Sequence, residues 1–123
     1  MTGELYTGHA LGILSVASGE AIQPVGTLGD RGVRSSGGWA QAQFNFTTKW
    51  QVNLAYGIDS PTVRDIPVGL RTRNQSYMGN IMYKLSPHVT VASEYRRILT
   101  DFRNQAAANE RGDSANLAFA YIF

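Results

Sequence analysis

Residues 114–123 read SANLAFAYIF, and the reading of this stretch decides the fold. Ala115, Leu117, Phe119, Tyr121 and Phe123 fall at one parity, and Ser114, Asn116, Ala118, Ala120 and Ile122 at the other. A side-chain period of two belongs to a β-strand, whose successive residues point to opposite faces. The first set is apolar or aromatic throughout; the second is mostly small or polar. A strand of about ten residues with this pattern has the length of a bilayer-crossing barrel strand.

Upstream, the same alternation recurs. In 89–97, Val89, Val91, Ser93 and Tyr95 oppose Thr90, Ala92, Glu94 and Arg96. In 75–85, Tyr77, Gly79, Ile81, Tyr83 and Leu85 oppose Ser76, Met78, Asn80, Met82 and Lys84. Between them Ser86, Pro87 and His88 make a turn, a place that suits proline as a central strand does not. The segments AQAQFNFT (40–47) and WQVNLAYGID (50–59) form a hairpin, alternating strictly on both sides of a tight turn at Thr48 and Lys49. ELYTGHALGILSV (4–16) is the least regular strand: its even positions, Tyr6 to Val16, are small or apolar, but Leu11 and Ile13 interrupt the other face.

The expectation is an all-β chain, an antiparallel up-and-down meander of about six strands near 4–16, 39–47, 50–59, 74–85, 89–98 and 114–123. Gly-, Pro- and charge-rich segments at 18–38, 60–73 and 99–113 read as long loops. Long and short connections alternate, so the long loops share one end of the sheet and the short turns share the other with the C-terminus. Transmembrane β-barrels have that arrangement, with long loops outside and short turns in the periplasm. The 123 residues are expected to form a single partial barrel segment.

Composition excludes several function classes. Eleven Lys plus Arg against nine Asp plus Glu give a formal charge of +2, and the cations are scattered, so nucleic acid is not an expected partner. With no cysteine there is no disulfide or thiolate metal site, and two isolated histidines do not make a zinc site. Gly26, Gly29 and Gly32 lack the strand, helix and Lys-Ser/Thr pair of a phosphate loop. His9 and His88 connect to no nucleophile, and neither catalysis nor a cofactor is expected. No apolar run reaches the roughly 18 residues of a transmembrane helix, which barrels never show. The N-terminus, MTGELYTG, has no basic or apolar export region, so a complete precursor is not expected here.

Two faces follow from the parity. The polar set contains Gln41, Gln43, Asn45, Gln51, Asn53, Asn80, Lys84, Glu94 and Arg96, candidates for the lining of a water-filled channel. The apolar set carries no charge over the last five strands. Its rings gather towards the strand ends: Tyr56, Tyr77 and Tyr95 near the long loops, Phe46, Trp50, Tyr83, Tyr121 and Phe123 near the short turns. Two aromatic bands around an aliphatic belt are what lipid interfaces favour, whereas a water-soluble core more often holds its rings centrally. Trp39 has the wrong parity, which a bulge at Gly37 and Gly38 would correct and an inward-facing ring would explain equally. Arg96 and Lys84, with Arg71, Arg73 or Arg34 at the loop junctions, would make a basic wall favouring anionic solutes. The plainer alternative is a Glu94–Arg96 pair that stiffens the wall.

These residues also carry resemblances. An ending on Phe123, with Tyr121 two residues before it, resembles the closing strand of bacterial outer-membrane barrels, where it implies recognition by the barrel assembly machinery. The order ELYTGHALG, RSSGGWAQAQFNFTTKWQVNLAYGID, LRTRNQSYMGNIMYKLSPHVTVASEYRR and YIF resembles the C-terminal region of DcaP-type outer-membrane porins, most specifically at GGWAQ (37–41), YGID (56–59) and RNQS (73–76). The resemblance implies a Gram-negative outer-membrane location, a homotrimer when complete, about sixteen strands per chain, and diffusion of small, often anionic solutes such as dicarboxylates. Six strands are too few for such a pore, so the N-terminal barrel strands are expected as missing partners, beside outer-membrane lipid. The alternative from another class is a soluble or surface-attached β-sheet module whose apolar face packs on a partner.

Overall fold

The structure, a computed structural model, describes residues 1–9, 22–23, 31–66, 68–104 and 109–123. Among these described residues eight strands occur, in the order β1 (Thr2–His9), β2 (Ile22–Gln23), β3 (Arg31–Gly32), β4 (Arg34–Asn45), β5 (Trp50–Pro61), β6 (Arg71–Lys84), β7 (Val89–Phe102) and β8 (Glu110–Tyr121). Six of them make one antiparallel sheet in the order β1-β4-β5-β6-β7-β8, while β2 and β3 pair separately inside the first long connection. The fold is the all-β meander that the alternation predicts.

Both short turns are held by the same local device. Thr47 Oγ1 accepts hydrogen bonds from the Lys49 and Trp50 amides at 3.1 and 3.0 Å, and Ser86 Oγ accepts from those of His88 and Val89 at 3.2 and 3.1 Å. A hydroxyl that captures amides two and three residues on takes over backbone groups the ladder cannot reach. At the other end, the Arg103 guanidinium donates to the Ile66 carbonyl, and the Gly69 amide donates to the Arg103 carbonyl at 3.0 Å. Gly69, at φ 89°, supplies the left-handed backbone that this link between two loops requires.

Several strands are longer than the alternation indicates. β4 begins at Arg34, so residues 34–38 of the expected 18–38 loop are strand; β6 begins at Arg71, β7 runs to Phe102 and β8 starts at Glu110. The loops expected at 60–73 and 99–113 shorten accordingly. Opposite charges in register carry two of these extensions: Arg73 faces Asp101 and Arg97 faces Asp113, with nitrogen–oxygen distances of 2.6 and 2.7 Å. β1 covers 2–9; the remainder of the expected 4–16 strand lies outside the described residues.

The sheet is a single layer. Among the described residues, Val33 and Ile66, 0% and 2% exposed, are the buried hydrophobic side chains, and both lie at the loop end. Leu54, Ile81, Leu117 and Phe119 are exposed, Phe119 to 72%. β1 and β8 are the two edges and do not pair with each other. The described residues thus build a wall without a core of its own.

Candidate functional site

Register places all nine polar candidates on one face. Gln43, Asn53, Asn80, Glu94 and Asn116 form a row straight across five strands. Gln41 and Arg96 belong to the next row towards the loop end, Asn45 and Gln51 to the next towards the turn end, and Lys84 lies one further row that way, opposite Thr90. The amides bind one another: Asn53 Nδ2 donates to Asn80 Oδ1 at 2.7 Å, Gln51 Nε2 to Asn53 Oδ1 at 3.1 Å, and Gln43 Nε2 to Asn45 Oδ1 at 3.4 Å. Asn53 is 5% exposed, so its hydrogen bonds replace lost hydration. No described side-chain polar atom is buried without a partner.

Charges of both signs lie on this face. Arg96 donates to Glu94 at 3.3 Å, the pairing of the plainer alternative. Arg73 and Arg34 lie in register with the opposite face, Arg73 bound to Asp101 and Arg34 donating to His9 Nε2 at 3.4 Å. A bulge between Arg71 and Arg73 returns Arg71 to the polar side. The five cations therefore do not line up as one basic wall. Instead Lys49 and Lys84, the chain's two lysines, border a concavity of about 540 Å³ at the turn end with Gln43, Asn45, Gln51 and Trp50. Glu4, Asp59 and Glu110 stand in register towards the loop end of the same face.

Trp39 and Tyr6 also belong to the polar face. Pairing of β4 with β5 runs unbroken from Ser35↔Pro61 to Asn45↔Gln51, so no bulge corrects Trp39; it sits between Glu4 and Gly57. Tyr6, at a position expected to be apolar-facing, donates to Asp59 Oδ1 at 3.1 Å, and Ser35 Oγ donates to the same oxygen at 2.8 Å. Leu5 takes the apolar side instead. A buried carboxylate wins over side-chain period in orienting β1, a relationship between residues far apart in sequence.

The opposite face carries the aromatic rows. Trp50 and Tyr83 are paired across strands with ring centroids 4.4 Å apart, and Tyr56 and Tyr77 at 5.0 Å. Tyr83 continues through Val91 to Phe119, and Val89 faces Tyr121, whose ring is 5.7 Å from that of Phe123. Phe46 follows β4 at the same end, hydrogen-bonded through its amide to the Trp50 carbonyl at 3.1 Å. Between the rows lie one line of Ala42, Leu54, Gly79, Tyr95 and Ala115 and a second of Phe44, Val52, Ile81, Ser93 and Leu117, so Tyr95, expected near the long loops, is one row inside the Tyr56–Tyr77 row, whose place on β7 is taken by Arg97. Charged residues appear on this face only past Tyr95, where Asp113 accepts from the Tyr95 hydroxyl at 2.5 Å, Arg97 Nε at 2.7 Å and Arg111 Nε at 2.9 Å.

Among the described residues there is no cluster of three or more His, Asp or Glu that could hold a metal, and no helix long and apolar enough to cross a membrane. The geometry offers a solvated amide surface on one side and a banded apolar surface on the other. No protein-family model, curated protein or solved structure matches the chain.

Proposed function

We propose that this sheet is part of the wall of an outer-membrane β-barrel porin, lipid-facing through its aromatic-banded side and lining a water-filled channel through its amide side. The observation that carries the reading is the exposed apolar face of a single-layer sheet, with paired rings towards both ends, small, aliphatic and two further aromatic residues, Phe44 and Tyr95, between them, and charges only from the Tyr56–Tyr77 row outwards. An Arg or Lys at mid-bilayer on a barrel exterior costs about 2–4 kcal/mol, falling to about 0–1 near the interfaces, which is how the charges on this face are distributed. Strands of 12 to 14 residues, at ~3.3 Å per residue and tilted ~40°, cross an apolar band of ~25 Å with residues to spare at the loop end.

The solutes proposed are small and hydrophilic, anionic ones meeting Lys49 and Lys84 at the turn-end mouth. The open edges of β1 and β8 would pair with further barrel strands, because every unmade backbone hydrogen bond in lipid costs several kcal/mol. The resemblance to DcaP-type porins supports the same assignment, with trimerisation and recognition of Phe123 by the assembly machinery as its corollaries. The competing module, a soluble sheet covered by a partner, gives no reason for rings at both margins.

Fractionation and conductance test this. The chain should partition with outer membranes and need detergent to stay dispersed, and the channel containing it should conduct in planar bilayers. Clean monomeric behaviour in detergent-free buffer would overturn the porin reading.

A further inference from the structure

We propose that Met82, with Met78 beside it, is a modification site on the amide face: a thioether that a peroxide oxidises to the sulfoxide, whose oxygen is taken up by side-chain donors already in place. The inference rests on the channel reading above, which sets this face against water. Both methionines belong to the polar side of β6, Met82 in register between Gln51 and Ala92 and Met78 between Ala55 and Arg96. A thioether is an apolar group and a weak acceptor, so hydration gives no reason for two of them on either side of Asn80. Their neighbours give one. Gln51 Nε2 and Asn53 Nδ2 donate to Met82 Sδ at 3.5 and 3.7 Å, and Arg96 Nη2 donates to Met78 Sδ at 3.9 Å. Each of these nitrogens carries two protons. One goes to an oxygen, from Gln51 to Asn53, from Asn53 to Asn80 and from Arg96 to Glu94, at 3.1, 2.7 and 3.3 Å. The other is left with sulfur, and a sulfoxide oxygen is the stronger acceptor that this second proton lacks.

Access comes from the same side. Met82 borders the concavity of about 540 Å³ that holds Lys49 and Lys84, and Met78 borders a second of about 290 Å³ beside Trp39 and Ser76. Hydrogen peroxide, scarcely larger than water, fits either. The sulfur lone pair attacks one peroxide oxygen: the S–O bond forms, the O–O bond breaks, and the departing hydroxide takes the proton of the transferred oxygen and leaves as water. Sulfur gives up two electrons, and they reduce the peroxide. Rotation about the terminal bonds of the unbranched Met82 side chain then swings the new oxygen to the Gln51 and Asn53 amides. In a packed core the same oxidation disrupts. Here it completes a hydrogen-bond network and turns an apolar stretch of the channel lining into a dipole.

The test uses outer membranes from cells that make the protein, treated with hydrogen peroxide, so that the sheet is met in whatever barrel completes it. Residues 74–84, NQSYMGNIMYK, come away as one tryptic peptide, in which fragment masses separate oxygen added at Met78 from oxygen added at Met82. Both should be oxidised within about tenfold of the rate in the free peptide, and protection beyond about 100-fold at Met82 overturns the site, since susceptibility follows exposure. The complete channel, extracted in mild detergent, then gives the unfolding temperature before and after peroxide. With Met78→Leu to leave one sulfur, oxidation of Met82 should raise it by about 2 °C relative to M78L/M82L, the worth of one improved hydrogen bond. Adding Gln51→Leu should remove most of that rise. A fall in the Met78→Leu channel, an equal change in M78L/M82L, or a rise untouched by Gln51→Leu overturns the proposal. If the chain fractionates as a soluble protein, the channel reading fails, and the same peptide and unfolding measurements on the soluble form still decide the site.

Discussion

Tyr6 and Asp59, 53 residues apart, share a hydrogen bond of 3.1 Å over the backbone of Gly37. A Cβ placed on Gly37 would overlap the Ile58 carbonyl and come within 2.6 Å of Tyr6 Cζ. Gly37→Val should therefore lift Tyr6 off the sheet and loosen β1, at a cost of about 1–3 kcal/mol. Gly79→Ala, whose new methyl would meet only Leu54 Cδ2 at 3.5 Å, should change stability by less than about 0.5 kcal/mol. Urea unfolding in detergent micelles compares the two; equal losses would show that the crossing of Tyr6 over Gly37 contributes nothing specific.

The amide row makes a second prediction. Asn53 is buried and bound to Asn80 and Gln51, so Asn53→Leu strands two polar partners and should cost about 1–3 kcal/mol. The double change N53L/N80L should recover part of that loss, because it removes donor and acceptor together. A double-mutant cycle with zero coupling would dissociate the two side chains.

Depth along the apolar face gives a third. Under the proposed membrane reading, Ile81→Arg in the aliphatic belt should destabilise the inserted state by about 2–4 kcal/mol, and Tyr121→Arg at the margin by about 0–1 kcal/mol. Equilibrium unfolding from vesicles measures both. A flat profile along this face would contradict lipid exposure.

The last residues are tied down by His88. Its Nδ1 lies 2.9 Å from the Ile122 carbonyl, the Ile122 amide donates to the His88 carbonyl at 2.9 Å, and its ring is 6.2 Å from that of Tyr121. His88→Ala should release Ile122 and Phe123, read as faster carboxypeptidase removal of the C-terminus with the rest of the sheet unchanged. Unaltered cleavage would show that the backbone bond alone holds the end.

How much of this was legible in the sequence follows from which interactions are local. The hairpins around 46–49 and 85–88 and the two faces of β4 to β8 could be read because each rests on period two and a nearby turn. The start of β4 could not: Ser35, Ser36, Gly37 and Gly38 have loop composition, yet Gly37 and Gly38 are the positions that let Tyr6 and Leu5 lie close. The same distant pairing reverses the parity assigned to Tyr6. The ladder extensions at Arg73–Asp101 and Arg97–Asp113 had a signal, opposite charges at equal distance from a hairpin turn, which charge-rich loop composition outweighed. Cancellation of Arg96 by Glu94 was legible; the gathering of Lys49 and Lys84 needed the register.

The order of the sheet also sets a timetable for its assembly. Strands β4 to β8 join neighbours through connections no longer than a few residues to a short loop, whereas β1 reaches β4 only across residues 10–33, roughly six times the length of the turn at 46–49. Loop-closure entropy grows as the logarithm of that length, a difference of about 1.6 kcal/mol. The sheet would therefore zip from the C-terminal hairpin towards β4, and β1, latched by Tyr6 on Asp59, would be the strand that arrives last and leaves first.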